Sequence, residues 1–140
     1  MEKNKVFEGV EIIDYTHEGM GVCKIDNVPV FVKFAKLGDI VDIKIVKVEK
    51  KFAYGILVNN KEEEYICPHF KKCGGCHVMH LSYDEQLVFK KQVVNNIMTK
   101  NKIEAKVMDV MANDNPLNYR NKILMPFTRG TNKRINVGFY

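Results

Sequence analysis

The sequence predicts a mainly β protein with one helix: a small closed or nearly closed β-barrel, a cysteine loop, the helix, and a further β-rich stretch. Three observations predict it. Residues 1–60 hold five short strand-like runs with no helical pattern between any two of them, which suits a small barrel. Ser82-Tyr83-Asp84-Glu85 has the S-x-x-E form of a capping box, and the helical run behind it reaches Thr99. Apolar runs separated by turn residues then resume the strand pattern.

The elements follow in order. Lys5 to Tyr15 is extended and rich in Val and Ile, and His17-Glu18-Gly19-Met20-Gly21 supplies turn chemistry. Val22 to Asp26 and Val28 to Phe34 flank Asp26-Asn27 as a tight hairpin. Leu37-Gly38-Asp39 breaks the chain before Ile40 to Val48, where Val41, Ile43 and Ile45 alternate with Asp42 and Lys44. Phe52, Tyr54, Ile56 and Val58 share one face of the last strand. Residues 61–81 form a connector, in which Glu62-Glu63-Glu64 reads as a solvated face. The helix is expected to bury Leu87, Val94, Ile97 and Met98, and Lys100-Asn101-Lys102 suits its C-terminal end. Strands are expected at Ile103 to Val110, Tyr119 to Phe127 and Arg134 to Tyr140, with a turn at Asn113-Asp114-Asn115-Pro116 and a connection at Arg129-Gly130-Thr131-Asn132. Three parts result: 1–60, 61–102 and 103–140. The last strand ends on Val137-Gly138-Phe139-Tyr140 without turn, cap or polar tail, so the chain reads as a truncated front portion.

A hydrophobic content of 46% and a charged content of 28% exclude a disordered chain. Charges interrupt the first twenty residues, so no signal peptide is expected, and no run approaches transmembrane length. The cytosol is the expected compartment. Thiols stay reduced there, so clustered cysteines point to a metal or to catalysis before disulfides. The net charge of +5 lies wholly beyond residue 81, which makes overall charge only a mild pointer to a polyanionic partner.

Cys67-Pro68-His69-Phe70-Lys71-Lys72-Cys73-Gly74-Gly75-Cys76 places three cysteines in ten residues. This C-x5-C-G-G-C spacing presents three thiolates on one loop, and the two glycines allow close backbone approach to a cluster. A cubane iron–sulfur cluster needs a fourth ligand that the loop lacks. The rival is zinc, closed as a Cys3His set by His77 or His80. Cys23 shares a face with Ile25 and reads as a small core residue.

That run, followed by His80-Leu81 and Tyr83-Asp84-Glu85-Gln86-Leu87 with Lys90 or Lys91, resembles the N-terminal part of the bacterial 23S rRNA (uracil-5-)-methyltransferases that carry a TRAM domain and an iron–sulfur cluster. Glu18-Gly19-Met20-Gly21-Val22 and the stretch from Phe31-Val32 to Gly38-Asp39 look like the glycine turns of an OB-like TRAM barrel. Pro116-Leu117-Asn118-Tyr119-Arg120-Asn121-Lys122 and Val137-Gly138-Phe139-Tyr140 look like the opening of that family's central RNA-binding domain. The resemblance implies a 4Fe-4S cluster on Cys67, Cys73 and Cys76, with a fourth cysteine beyond Tyr140. It also implies that S-adenosylmethionine, the nucleophilic cysteine that attacks carbon 6 of uracil, and the carboxylate that takes the proton from carbon 5 belong to later parts of the protein. No cysteine present matches that nucleophile.

The expected partner is 23S rRNA, with no membrane, and a monomer is expected. Lys24, Lys33, Phe34 and Lys36 on the barrel, and Arg120, Lys122 and Arg129 beyond the helix, are the candidate RNA contacts, with lysines tracking phosphates and the aromatic stacking on an unpaired base. A different class of reading is a non-enzymatic RNA-binding module with a zinc knuckle. A radical S-adenosylmethionine methylthiotransferase would need C-x3-C-x2-C spacing, which the five residues between Cys67 and Cys73 argue against.

Overall fold

The computed structural model describes residues 1–58, 65–130 and 133–138. The acidic run 62–64, Thr131 and Asn132, and the last two residues lie outside these. The strands are β1 (Val6–Glu11), β2 (Asp14–Tyr15), β3 (Gly21–Ile25), β4 (Val28–Val32), β5 (Ile40–Val48) and β6 (Ala53–Leu57). One helical turn, α1 (Phe70–Cys73), and the long helix α2 (Tyr83–Lys100) follow, then β7 (Phe127–Arg129) and β8 (Ile135–Val137).

The run from Lys5 to Tyr15 is the reason the sheet curls. Its first half, β1, pairs antiparallel with β5, and its second half, β2, pairs antiparallel with β3. The sheet order is β1-β5-β6-β4-β3-β2, so its two edges belong to one bent segment and meet around the core. At the bend Ile12 is fully buried, and its amide donates to the Asp39 carbonyl (2.9 Å) while its own carbonyl accepts from Gly38 (2.8 Å). The backbone therefore turns from one edge to the other without stranding buried polar groups. The β3–β4 hairpin closes on Asp26 and Asn27 with φ of 50° and 63°, the double left-handed geometry a two-residue turn demands. β4 and β6 pair in parallel.

Ile12, Cys23, Ile25, Val30, Val32, Ala35, Ile43, Ile45 and Ala53 make the core. On β5 the alternation places Ile43 and Ile45 inside, as the sequence predicts. On β6 the face shared by Phe52, Tyr54, Ile56 and Val58 is the outer one, and Ala53 and Gly55 face the core.

Helix α2 starts at the expected cap. The Ser82 hydroxyl accepts from the Glu85 amide (3.3 Å) and the Glu85 carboxylate accepts from the Ser82 amide (2.6 Å). That amide holds the Glu85 carboxyl below its ordinary value of 4.5. A depressed carboxyl contributes stability above its unfolded pKa, and this is lost as pH falls through the lower folded value. Ser82→Ala should cost about 1 kcal/mol, and Glu85→Gln, which removes the titrating carboxylate, should flatten the stability-versus-pH curve below pH 4.5. Urea titrations at pH 3 and pH 7 check both; equal losses from Glu85→Gln at the two pH values would remove the box from the account.

The buried face of α2 differs from the expected one. Phe89 is its buried residue, with its ring edge-on to Tyr15 (5.4 Å, 88°), and Gln92 Nε2 donates to Asp14 Oδ1 (2.7 Å). Leu87 and Met98 are half-buried, while Val94 and Ile97 are 40% and 52% exposed. The barrel touches the helix through β2, so the position of Tyr15 selects the packed face. The strands expected at 103–110 and 119–127 do not form as such. Residues 103–126 find no partner strand among the described residues, and only Phe127 to Arg129 pairs, with Ile135 to Val137. An extended run becomes a strand only when a neighbour takes up its backbone groups.

Candidate functional site

The cysteine loop is docked on the barrel by aromatic packing. Phe70, buried on α1, meets Phe34 of the β4–β5 turn edge-on at 5.3 Å and Tyr65 at 4.9 Å. His80 is buried beside them, stacked on Phe70 (6.2 Å, 19°) and edge-on to Phe34 (5.8 Å). Phe34 holds φ at 64°, an unusual conformation for a bulky residue, which this packing maintains. Across the same junction Gly19, buried with φ +82°, leaves room for Val78, whose Cγ1 would collide with any Cβ there.

Within the loop, Phe70 N donates to the Cys67 carbonyl (3.1 Å) and Cys73 N to the His69 carbonyl (2.8 Å). Gly74 closes the turn in the left-handed conformation (φ 71°), which redirects the chain between Cys73 and Cys76. Cys67 and Cys73 are half-buried, Cys76 is exposed, and all three are free thiols. Among the described residues no three His, Cys, Asp or Glu side chains stand close enough together to hold a metal ion. The donor chemistry fits a thiophilic centre, three soft ligands on one short loop, although the sulfurs do not converge. As for the zinc alternative, His80 is taken up in aromatic packing, whereas His77 is exposed next to Cys76. Cys23 is the core residue the sequence predicts: it is fully buried, its thiol faces the Val30 carbonyl (3.7 Å), and burial pushes its pKa up to about 11.

Two clefts flank the loop and share Cys76 and His77. One, of about 240 Å³, lies against the barrel and is lined by Lys33, Phe34, Phe70 and Lys71. The Lys71 ammonium stands over the Phe34 and Tyr65 rings at 5.9 and 5.1 Å. The other, of about 530 Å³, is mostly apolar and lies between the loop, the start of α2 and Pro116 to Arg120. Asn113 N donates to the Tyr83 hydroxyl (2.7 Å), which ties that segment to the helix.

The structure thus brings Lys33 and Phe34 to one side of the cysteine loop and Arg120 to the other. Lys24 lies apart from both, exposed on β3. Lys36 is half-buried and close enough to Glu85 to help hold its carboxyl down, which places it at the barrel–helix junction. Lys122 and Arg129 are exposed, the latter on β7. Lys71 was missed by the sequence reading, although its place two residues before Cys73 puts it on the loop itself.

A small barrel closed by one bent strand carries the docked cysteine loop. Residues 7–58 match the family described as TRAM domain, and the barrel is a TRAM domain. Over 99% of its length the chain is 38% identical to a Staphylococcus aureus (strain COL) protein named as an uncharacterized RNA methyltransferase. It is 40% identical over 88% of its length to one so named from Clostridium tetani, and 36% identical over 100% to one from Staphylococcus epidermidis. The matches cover 32%, 28% and 32% of those proteins, so the chain spans about a third of the length of the curated relatives it matches. A solved conserved protein of Methanococcus maripaludis is 36% identical over 41% of the chain and 81% of its own, with a TM-score of 0.39. The chain is a homologue of these RNA methyltransferases along nearly its whole length. Among the described residues no helix is long and apolar enough to cross a membrane.

Proposed function

We propose that this chain is the RNA-binding and cluster-binding portion of an S-adenosylmethionine-dependent methyltransferase that methylates carbon 5 of uridine in 23S rRNA. The observation that carries the reading is the three-cysteine loop packed directly on a TRAM barrel, in a chain whose relatives are named RNA methyltransferases. Cys67, Cys73 and Cys76 would supply three thiolates to a 4Fe-4S cluster, which would serve structure or RNA recognition, since methyl transfer itself requires no electron. Lys33 and Lys71 on one cleft and Arg120 on the other are placed to meet phosphates, with Lys24, Lys36, Lys122 and Arg129 as further candidate contacts. Cys23, buried and with its thiol held protonated, is unsuited to nucleophilic attack on a pyrimidine. The nucleophile, its base and the S-adenosylmethionine site would lie outside residues 1–140.

Anaerobic purification of the chain tests the cluster. A brown protein with bound iron and sulfide, bleached by Cys73→Ser, is the expected result. A colourless protein with one zinc would support the zinc knuckle instead. Mass spectrometry of 23S rRNA from cells lacking the gene tests the reaction, and the loss of one or more 5-methyluridines is expected.

A further inference from the structure

We propose that Phe31, Phe52 and Tyr54 form a base-stacking platform on the outer face of the barrel, and that its ligand is unpaired RNA. The proposal deepens the functional reading and rests on its RNA-binding part, not on the cluster or on the methyl transfer.

The register places the three rings together. Phe31 and Tyr54 are direct partners across the parallel pair β4 and β6. Their neighbours in sequence, Val30, Val32, Ala53 and Gly55, all point into the core, so both rings stand on the outer surface. Phe52 joins them from the turn before β6, where its carbonyl accepts from the Glu49 amide (2.8 Å). The ring centroids are 5.4 Å apart for Phe31–Phe52, 5.8 Å for Phe31–Tyr54 and 5.5 Å for Phe52–Tyr54. All three remain partly exposed. β6 therefore turns Ala53 and Gly55 inward and Tyr54 outward, the reverse of what core packing alone favours.

The charge around the rings suits a polyanion. Lys47 is the register partner of Tyr54, Lys44 is that of Ile56, and Lys24 lies on β3 opposite Pro29, two residues from Phe31. Lys50 and Lys51 precede Phe52 in the β5–β6 turn. The acid in this group, Glu49, is engaged by Lys47 at 2.8 Å. Aromatic faces accept any base, while lysines follow the backbone, so the pairing favours single strands with little sequence preference. A duplex keeps its bases stacked on one another and leaves the rings without a partner.

The test uses the 140-residue chain and a mixed-sequence 12-nucleotide single-stranded RNA carrying one 2-aminopurine, with a duplex of the same sequence as comparison. The native chain should bind the single strand more tightly than the duplex and quench the 2-aminopurine. Phe52→Ala with Tyr54→Ala should weaken binding about tenfold or more and abolish the quench. Phe52→Tyr with Tyr54→Phe should retain both. Circular dichroism confirms that each variant folds, and the quench by the native chain stands as a separate readout should the alanine pair unfold. Native-like affinity in a folded alanine pair, or no quench by the native chain, overturns the platform while leaving RNA binding elsewhere on the chain intact. Absence of RNA binding by the native chain overturns the RNA-binding reading and the platform with it.

Discussion

Valine in place of Gly55 is expected to destabilise the barrel by about 3 kcal/mol, the upper end of what overpacking a close-packed core costs. Gly55 faces inward on β6, between Ile45 of β5 and Val32 of β4. A Cβ there would collide with Ile43 Cγ2 and lie 3.4 Å from Val30 Cγ1 and 3.6 Å from the Lys44 carbonyl oxygen. Each of those neighbours is on a different strand or is backbone, so no single rotamer change clears the space. For a barrel of this size the loss corresponds to a fall in Tm of roughly 12 to 24 °C. Adding Ile43→Ala to Gly55→Val returns volume to the same spot and should recover part of the loss, so the two changes together should cost less than their sum. A Tm within a degree of the native one for Gly55→Val alone would show that β6 is not packed as described.

Alanine at Gly19 should act at the junction between barrel and cysteine loop. At φ +82° any L side chain is strained, and the new Cβ would meet Val78 Cγ1. We expect a loss of about 2 kcal/mol from the two effects together, felt first where the loop docks. Hydrogen exchange should therefore quicken across residues 67–81 more than across β3 to β5. Val78→Ala in the same chain should relieve the collision and leave the backbone strain, so recovery should be partial. Uniformly faster exchange over the whole barrel would mean that the loop and the barrel open as one unit.

These two glycines also mark the limit of what could be read from the sequence. The turn from His17 to Gly21 was legible because paired glycines in a short polar run signal positive φ, and Gly19 has it. What Gly19 admits was not, since Val78 is 59 residues away in the chain. The Asp26-Asn27 hairpin, the β5 alternation and the Ser82–Glu85 capping box were legible for the same reason: each is decided by sterics and hydrogen bonds within a few residues. The cysteine loop was legible as a pattern of three closely spaced thiols. The packing of His80 between Phe34 and Phe70 was not, because it depends on a barrel turn far away in sequence.

By itself the sequence determined the strand runs of the barrel, its tight hairpin, the start of the long helix and the clustering of three cysteines on one loop. Tertiary structure alone decided which face of β6 is the core, which side of α2 is packed, and that residues 103–126 run without a partner strand among the described residues. The physical reason is common to all three. Periodicity says that side chains alternate, but the space left by neighbouring strands says which side is inside. Ile43 fills the room that a larger residue at position 55 would need, and so Phe52 and Tyr54 are turned outward.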